Sequence, residues 1–251
     1  MSVEDESFAS ARDQNIAAMG ADNDLKKSSR NWQVEAANHH YIYNFTWMGR
    51  PIIQLPQDVF AMQELIWANK PDLIIETGIA HGGSIIFSAS MLELNAACGG
   101  PAEAEVLGID IDIRAHNREA IEAHPMFKRI SMIQGSSIAP EVIAEVRSRA
   151  AGRQRVMVFL DSNHTHEHVL AELNAYAPLT SVGSYCVVFD TAIEEVPAAM
   201  SADRPWGPGN NPQTAVREFL KTNDSFEIDR DISNKLLITV APDGYLKRVK
   251  E

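Results

Sequence analysis

Basic side chains, cysteine and long apolar runs are all scarce in this chain of 251 residues, and each shortage excludes a class of protein. Lysine and arginine together number 22 against 34 aspartates and glutamates, which leaves a net charge of −12. A surface of this sign repels phosphates, so we expect no nucleic-acid partner. The two cysteines, Cys98 and Cys186, match no metal-binding spacing, which predicts reduced thiols in a cytoplasmic protein. Because no apolar run reaches about 18 residues, we expect no membrane span.

The N-terminal part of the chain differs in composition from the rest. The first residues are acidic and polar and contain no apolar core like that of a signal peptide, so we expect residues 1–27 to form a flexible tail or a loose first helix. Residues 28–70 are predicted to form a helical and aromatic cap. Two interpretations of its aromatic side chains stay open: a cover over a ligand, or packing against a sheet or a second subunit. The aromatic residues that cluster in this segment are Trp32, Tyr41, Tyr43 and Trp47.

Short apolar strands alternate with helical patterns from residue 71 to residue 251. Strands are expected at residues 73–76, 106–110, 130–134, 156–161 and 185–190, and two later apolar runs cover residues 226–228 and 236–240. Alternation of this kind is typical of an α/β fold with a doubly wound, mostly parallel sheet and helices on both faces. We therefore predict one Rossmann-like domain in this region.

The segment 72–84, which reads D-L-I-I-E-T-G-I-A-H-G-G-S, predicts a ligand-binding turn at the end of the first strand of that domain. The strand delivers Glu76 to the edge of the sheet, and Gly78 and Gly82 allow a ligand to approach the backbone closely. The turn lacks the Lys-Ser/Thr of a P-loop, and its glycine spacing is not G-x-G-x-x-G. The interpretation that remains is a nucleoside-binding loop with no evident binding site for a pyrophosphate.

Acidic residues end four of the predicted strands: Glu76, Asp110, Asp161 and Asp190. Carboxyl ends of parallel strands meet at one edge of a sheet, and four acids there repel one another unless a cation or ligand neutralises them. An acid at a strand end can instead cap the next helix. Asp110 suits the two hydroxyls of a ribose, and the turn at Ser136 suits an adenine edge or a carboxylate. These features alone do not exclude a nicotinamide dinucleotide as the ligand.

Histidines follow the fourth strand in the segment 161–168, which reads D-S-N-H-T-H-E-H. His164 is nearest the strand end, and imidazole titrates near neutral pH, so it is the candidate general base. His166 and His168 are interpreted as surface residues. A zinc site with Asp161 and a purely local hydrogen bond of His164 are the alternatives.

Taken together, these motifs resemble the cephalosporin hydroxylase family over residues 32–240. The motifs are E-T-G-x-x-x-G-G-S, G-I-D-I-D, Q-G-S-S, L-D-S-N-H-T-H-E-H-V, V-V-F-D-T and G-N-N-P. The resemblance implies a class I S-adenosylmethionine-dependent O-methyltransferase, often metal-assisted, that acts on a hydroxyl of a sugar or natural product. It also implies a homo-oligomer and a small-molecule acceptor.

The same resemblance implies a role for each motif residue. S-adenosylmethionine would be bound by Glu76, Thr77, Gly78, Gly82, Ser84, Asp110, Ser136 and Asp161. Asp161 and Asp190 would hold Mg²⁺, and His164 would be the base. One departure stands out, because relatives carry an acid where this chain has Phe189. Mg²⁺ prefers about six oxygen ligands. The site would therefore bind weakly, use extra water, recruit Glu194 or Glu195, or hold no metal.

Three other functions are weighed against this one. A dinucleotide oxidoreductase needs a pyrophosphate loop that the chain lacks. An iron- and 2-oxoglutarate-dependent hydroxylase, as the family name suggests, is expected on an antiparallel jelly roll. A non-catalytic partner protein that keeps the cofactor fold is the third, and the missing acid at Phe189 is the feature that favours it.

Overall fold

A computed structural model describes residues 6–251, and a single sheet of seven strands forms its centre. The strand order is β5-β4-β3-β6-β7-β9-β8; the first five strands are parallel, and β9 runs antiparallel to both of its neighbours, β7 and β8. The predicted fold class is confirmed. The strands are β3 (Leu73–Thr77), β4 (Glu105–Asp110), β5 (Ile130–Gln134), β6 (Val156–Leu160), β7 (Tyr185–Val188), β8 (Phe226–Ile228) and β9 (Tyr245–Arg248).

Helices cover both faces of this sheet, which is why its central strands β3 and β6 are buried at every residue and mostly apolar. One face packs against α3 (Pro56–Asn69), α4 (Gly83–Ala97), α5 (Ala115–Glu122) and α9 (Arg230–Leu236). The other face packs against α6 (Pro140–Ala150), α7 (His166–Tyr176) and α8 (Pro212–Phe219).

The N-terminal segments are more regular than the sequence indicated. Helix α1 (Glu6–Ala21) and the start of α2 (Asn23–Ala37) occupy the described part of the predicted tail; α2 continues into the predicted cap, and α1 contacts α9. Residues 1–5 of that segment lie outside the described residues. The predicted cap then contains a short 3-10 turn and an antiparallel hairpin of strands β1 (Phe45–Trp47) and β2 (Arg50–Ile52). The hairpin contacts α4, so the cap lies beside the glycine turn.

Two late details of the fold bear on the site. The apolar run at residues 236–240 does not form a strand: α9 ends at Leu236, and a partly buried loop leads from it to β9. Helix α7 begins at His166, so His164 lies in the loop after β6. No helix within residues 6–251 is long and apolar enough to cross a lipid bilayer.

Candidate active site

The carboxyl edge of the sheet brings the turn after β3 against the end of β6. Gly78 has φ = +90°, and a Cβ atom there would overlap the carbonyl oxygen of Asp161. The backbone nitrogen of Asp161 donates to the Thr77 carbonyl at 3.0 Å, which fixes the two strand ends together. Only glycine permits this conformation and this contact. The turn and Asp161 therefore form one rigid unit.

Asp110 holds the same turn in place. One of its carboxylate oxygens accepts hydrogen bonds from the amides of Ile79 and Ala80 at 2.8 and 3.1 Å, and the other accepts from the amide of Asp112 at 2.9 Å. These bonds support the positive φ of Ala80. A carboxylate oxygen has two lone pairs, so the carboxylate can still accept from a ribose. The structure adds a positioning role that the sequence did not indicate.

A cavity of about 110 Å³ opens beside Asp110. We call it the Asp110 cavity. Ser136 lines it, as the sequence predicted for the adenine side, and Ile111 at its edge is 72% exposed. An apolar side chain left in solvent beside a polar cavity offers a flat contact for a base. The other residues that line the cavity include Gly78, Ser137, Ser162 and His168.

His168, interpreted from sequence as a surface residue, belongs to a half-buried network at the floor of the Asp110 cavity. Its Nε2 lies 3.0 Å from Oγ of Ser137 and 3.2 Å from Oγ of Ser162. Ser162 also donates to Oε1 of the fully buried Glu172 at 2.7 Å. Spacing alone did not indicate this network, because Ser137 comes from the loop after β5, 31 residues from His168.

A second cavity, of about 240 Å³, adjoins the first through Gly78 and Ser162. We call it the Asp161 cavity. Ser84 and the predicted acids Asp161 and Asp190 line it from the sheet side, and the cap lines it from the other side with Ile42, Tyr43, Pro51, Ile53 and Gln54. The cap therefore forms one wall of a site at the sheet edge.

Asp161, His164 and Asp190 converge inside the Asp161 cavity. One ligand atom from each lies within 4.8 Å of the others, and Nε2 of His164 is 3.2 Å from Oδ2 of Asp190. Burial, reinforced by the charges of Asp190 and Glu76, raises the pKa of Asp161 well above its usual range. Two acids and an imidazole at this separation form a cation site or a proton-transfer pair.

Some predicted cofactor residues lie away from both cavities. Thr77 is fully buried, and Gly82 packs against the side chain of Ile121 in α5. Glu76 is 3% exposed; it accepts from the hydroxyl of Ser88 at 3.0 Å, and burial raises its pKa to about 7. These three residues support the turn from the side that faces away from both cavities. Their direct contact with a cofactor stays a prediction.

Arg50 connects the cap to the glycine turn, a role that no sequence motif predicts. Its guanidinium donates to the carbonyl of His81 at 3.0 and 2.6 Å and to Oδ1 of Asn117 at 3.0 Å. Asn117 in turn donates to the carbonyl of Ala80 at 3.0 Å. The wall of the Asp161 cavity and the turn beside the Asp110 cavity are thus held by one side chain.

Known proteins resemble this chain in sequence. The sequence profile described as "Rhamnosyl O-methyltransferase/CmcI" matches residues 39–249. The chain belongs to this family. A rhamnosyl O-methyltransferase of Mycobacterium bovis is 30% identical over 207 residues, covering 81% of this chain and 78% of its own length. That of Mycobacterium leprae is 28% identical over 211 residues, covering 83% and 86%.

Solved structures share the fold of this rhamnosyl O-methyltransferase/CmcI family member. CmcI in its apo form superposes with a TM-score of 0.57 at 19% identity, covering 83% of this chain and 78% of its own. CmcI with Mg and SAM gives 0.56 at 18% over the same shares, and a Bacillus cereus O-methyltransferase with SAH gives 0.51 at 15%, covering 82% of each chain. The predicted family and enzyme class, an S-adenosylmethionine-dependent O-methyltransferase, are confirmed. The parallel sheet is not the jelly roll expected of the hydroxylase alternative.

Proposed function

We propose that the protein transfers the methyl group of S-adenosylmethionine to a hydroxyl of a sugar-like small molecule, with a divalent cation at Asp161 and Asp190 and with His164 as the base. The observation that carries the proposal is the convergence of these three side chains in a cavity that adjoins the glycine turn. The nucleoside end of the cofactor belongs in the Asp110 cavity, and the acceptor belongs in the Asp161 cavity.

The donor set fits a divalent cation. Asp161 carries a carboxylate whose charged form is disfavoured in this structure by burial and by its acidic neighbours, which is the condition that a bound cation relieves. Two carboxylates leave several positions of a six-coordinate Mg²⁺ for water and for the acceptor. When bound, such a cation lowers the pKa of a coordinated hydroxyl.

His164 is placed to move the proton. Its imidazole is held by Oδ2 of Asp190 on one side and meets the indole of Trp206 edge-on, with ring centroids 4.8 Å apart. Asp190 therefore orients the ring and stabilises its positively charged form after proton uptake. The methyl carbon of the sulfonium is already activated, so alignment and deprotonation are the work left to the chain.

The acceptor wall comes from residues 28–70, which we propose act as a cap on the catalytic domain, residues 71–251. Tyr43 lines the cavity yet remains 58% exposed, with Ile42 and Pro51 beside it. An aromatic ring and apolar side chains facing polar groups suit the two-sided surface of a sugar. The mycobacterial relatives are named for a rhamnosyl acceptor, so a rhamnosyl hydroxyl is the first acceptor to examine. The homo-oligomer stays a prediction, and light scattering can test it by measuring the mass of the protein in solution.

Two measurements test the proposal. Calorimetric titration of S-adenosylmethionine, with Mg²⁺ and with chelator, should show binding, and absence of binding in both conditions overturns the proposed reaction. Incubation with cofactor carrying a ¹³C-methyl group and a panel of acceptors, made of p-nitrophenyl glycosides (rhamnoside included) and of simple phenols, should yield an O-methyl resonance with a glycoside. A resonance with phenolic acceptors alone would replace the sugar by an aromatic hydroxyl.

A further inference from the structure

Gln54 is a buried amide at the metal cluster that no motif in the sequence singles out. It lies between the cap hairpin and α3, is 7% exposed and lines the Asp161 cavity together with Asp161, His164 and Asp190. Its Nε2 donates to Oδ2 of Asp161 at 3.2 Å. An ionised carboxylate only accepts, so this bond assigns the amide nitrogen to the Asp161 side and leaves the oxygen on the other side.

The amide oxygen of Gln54 is an unsatisfied acceptor in the part of the chain that the structure describes. Within residues 6–251, Oε1 is buried and has no hydrogen-bond partner. A buried acceptor left without a partner is destabilising, and such groups mark a missing water or ion. Amide oxygens are also among the ligands that hard divalent cations accept.

The two other candidates for a replacement ligand are already engaged. Glu194 accepts from the amide of Gly209 at 2.7 Å and from Nδ2 of Asn211 at 2.5 Å, which anchors the loop before α8. Glu195 forms an ion pair with Arg30 of α2 at 2.8 Å. Phe189 itself is 5% exposed and packs in the core. Of these candidates, Gln54 is the one that contacts the cluster, through the bond from its Nε2 to Asp161, and its Oε1 is free to take a ligand.

We propose that Oε1 of Gln54 serves as a ligand of the divalent cation, in place of the acid that Phe189 replaces. This inference rests on the proposed function, because it assumes a cation at Asp161 and Asp190. It makes the cap a contributor to the metal site as well as to the acceptor wall.

Two other roles compete for Gln54. A water molecule in the neighbouring void of about 20 Å³ could satisfy Oε1, since the equally unpartnered Oε1 of Glu76 lines the same void. Alternatively, Gln54 acts through Nε2 alone and orients Asp161. The three roles predict different metal affinities for two variants that keep the shape of the side chain.

The experiment is a calorimetric titration of Mn²⁺ into the cofactor-free protein, with bound Mn²⁺ counted by electron paramagnetic resonance. Gln54→Met keeps the length but removes both polar atoms, and it should weaken binding at least tenfold, since even indirect partners of a metal ligand are worth 10–100-fold. Gln54→Glu keeps an oxygen but loses the donor, and it should bind Mn²⁺ at least as tightly as the parent. Gln57→Met is the matched control, because Oε1 of Gln57 is also buried without a partner in the described chain but lies outside the cavity.

Each outcome decides between the roles. Unchanged affinity in Gln54→Met overturns the ligand role and leaves the water. Equal weakening in Gln54→Met and Gln54→Glu, with melting temperatures near the parent, leaves only the orientation of Asp161. If the parent protein binds no Mn²⁺ while it still binds S-adenosylmethionine, the cation and the role of Gln54 fail together and the methyl-transfer proposal survives without metal.

Discussion

Nε2 of His164 lies 3.2 Å from Oδ2 of Asp190, so the candidate base and a candidate metal ligand are in direct polar contact. We expect His164→Ala to lower kcat by about 10²–10⁴-fold, the usual contribution of a general base. Cofactor affinity should stay near normal, because His164 lines the Asp161 cavity and not the Asp110 cavity. Turnover assays and calorimetry on the same preparation separate the two quantities.

His116→Ala is the control for this substitution, since His116 lies exposed on α5. If His164→Ala retains full turnover, the base is another group. If it instead loses Mn²⁺ affinity together with turnover, the imidazole is a metal ligand, as its place in the three-residue cluster also permits.

Asp161 carries an electrostatic strain that metal binding should relieve. Its charged form is disfavoured by burial and by Asp190 and Glu76, so Asp161→Asn should raise the melting temperature of the metal-free protein by roughly 2–4 °C, the shift that about 1 kcal/mol produces in a chain of this size. The same substitution should abolish the stabilisation by Mg²⁺ that we expect in the parent protein. Thermal melting with Mg²⁺ and with chelator measures both. A parent protein that Mg²⁺ does not stabilise, with or without cofactor, would contradict the site.

Features carried by the central strands were predictable from the sequence, because each apolar run ends in a polar residue that the parallel sheet must bring to one edge. Asp110, Asp161 and Asp190 reach that edge as expected. The hydrogen bonds that the turn amides donate to Asp110 were not predictable, since they depend on the path of a loop 30 residues away in sequence. Gln54 gave no signal either, because an isolated glutamine before a helix has no distinctive pattern.

Arg50 should govern cofactor affinity although it lies in the cap. Its removal leaves the carbonyl of His81 without its donor and frees the glycine turn from the cap, so Arg50→Ala should weaken S-adenosylmethionine binding about tenfold. Arg50→Lys should restore little, because one ammonium cannot reproduce a planar fork that reaches His81 and Asn117 together. Arg118→Ala on α5, whose partners are Glu122 and Gln134 on the surface, is the control. Calorimetry on the three variants measures the effect, and equal affinity in all of them would show that the turn is held without the cap.

Asp58 on α3 fastens the loop that closes the Asp161 cavity. Its carboxylate accepts from the hydroxyls of Thr239 and Tyr245 and, at 2.9 Å, from the amide of Val240, a residue that lines the cavity. Burial nevertheless raises the pKa of Asp58 from 3.8 to about 6, because the hydrogen bonds only partly offset the loss of hydration.

The sign of the resulting pH dependence follows from the direction of the shift. Between pH 3.8 and about 6 the folded protein holds a proton on Asp58 that the unfolded chain has released, so stability is full below this window and falls as the pH rises through it. Asn in place of Asp58 has no such titration, and its amide can donate to the two hydroxyls while its oxygen accepts from Val240. At pH 8, Asp58→Asn should therefore be more stable than the parent by up to about 3 kcal/mol, and the difference should vanish below about pH 4. Urea unfolding at several pH values measures this, with Asp58→Leu, which leaves all three donors unpaired, expected to be destabilised throughout. A difference that grows towards low pH would show that Asp58 is ionised and stabilising in the folded protein, and that its three hydrogen bonds outweigh its burial.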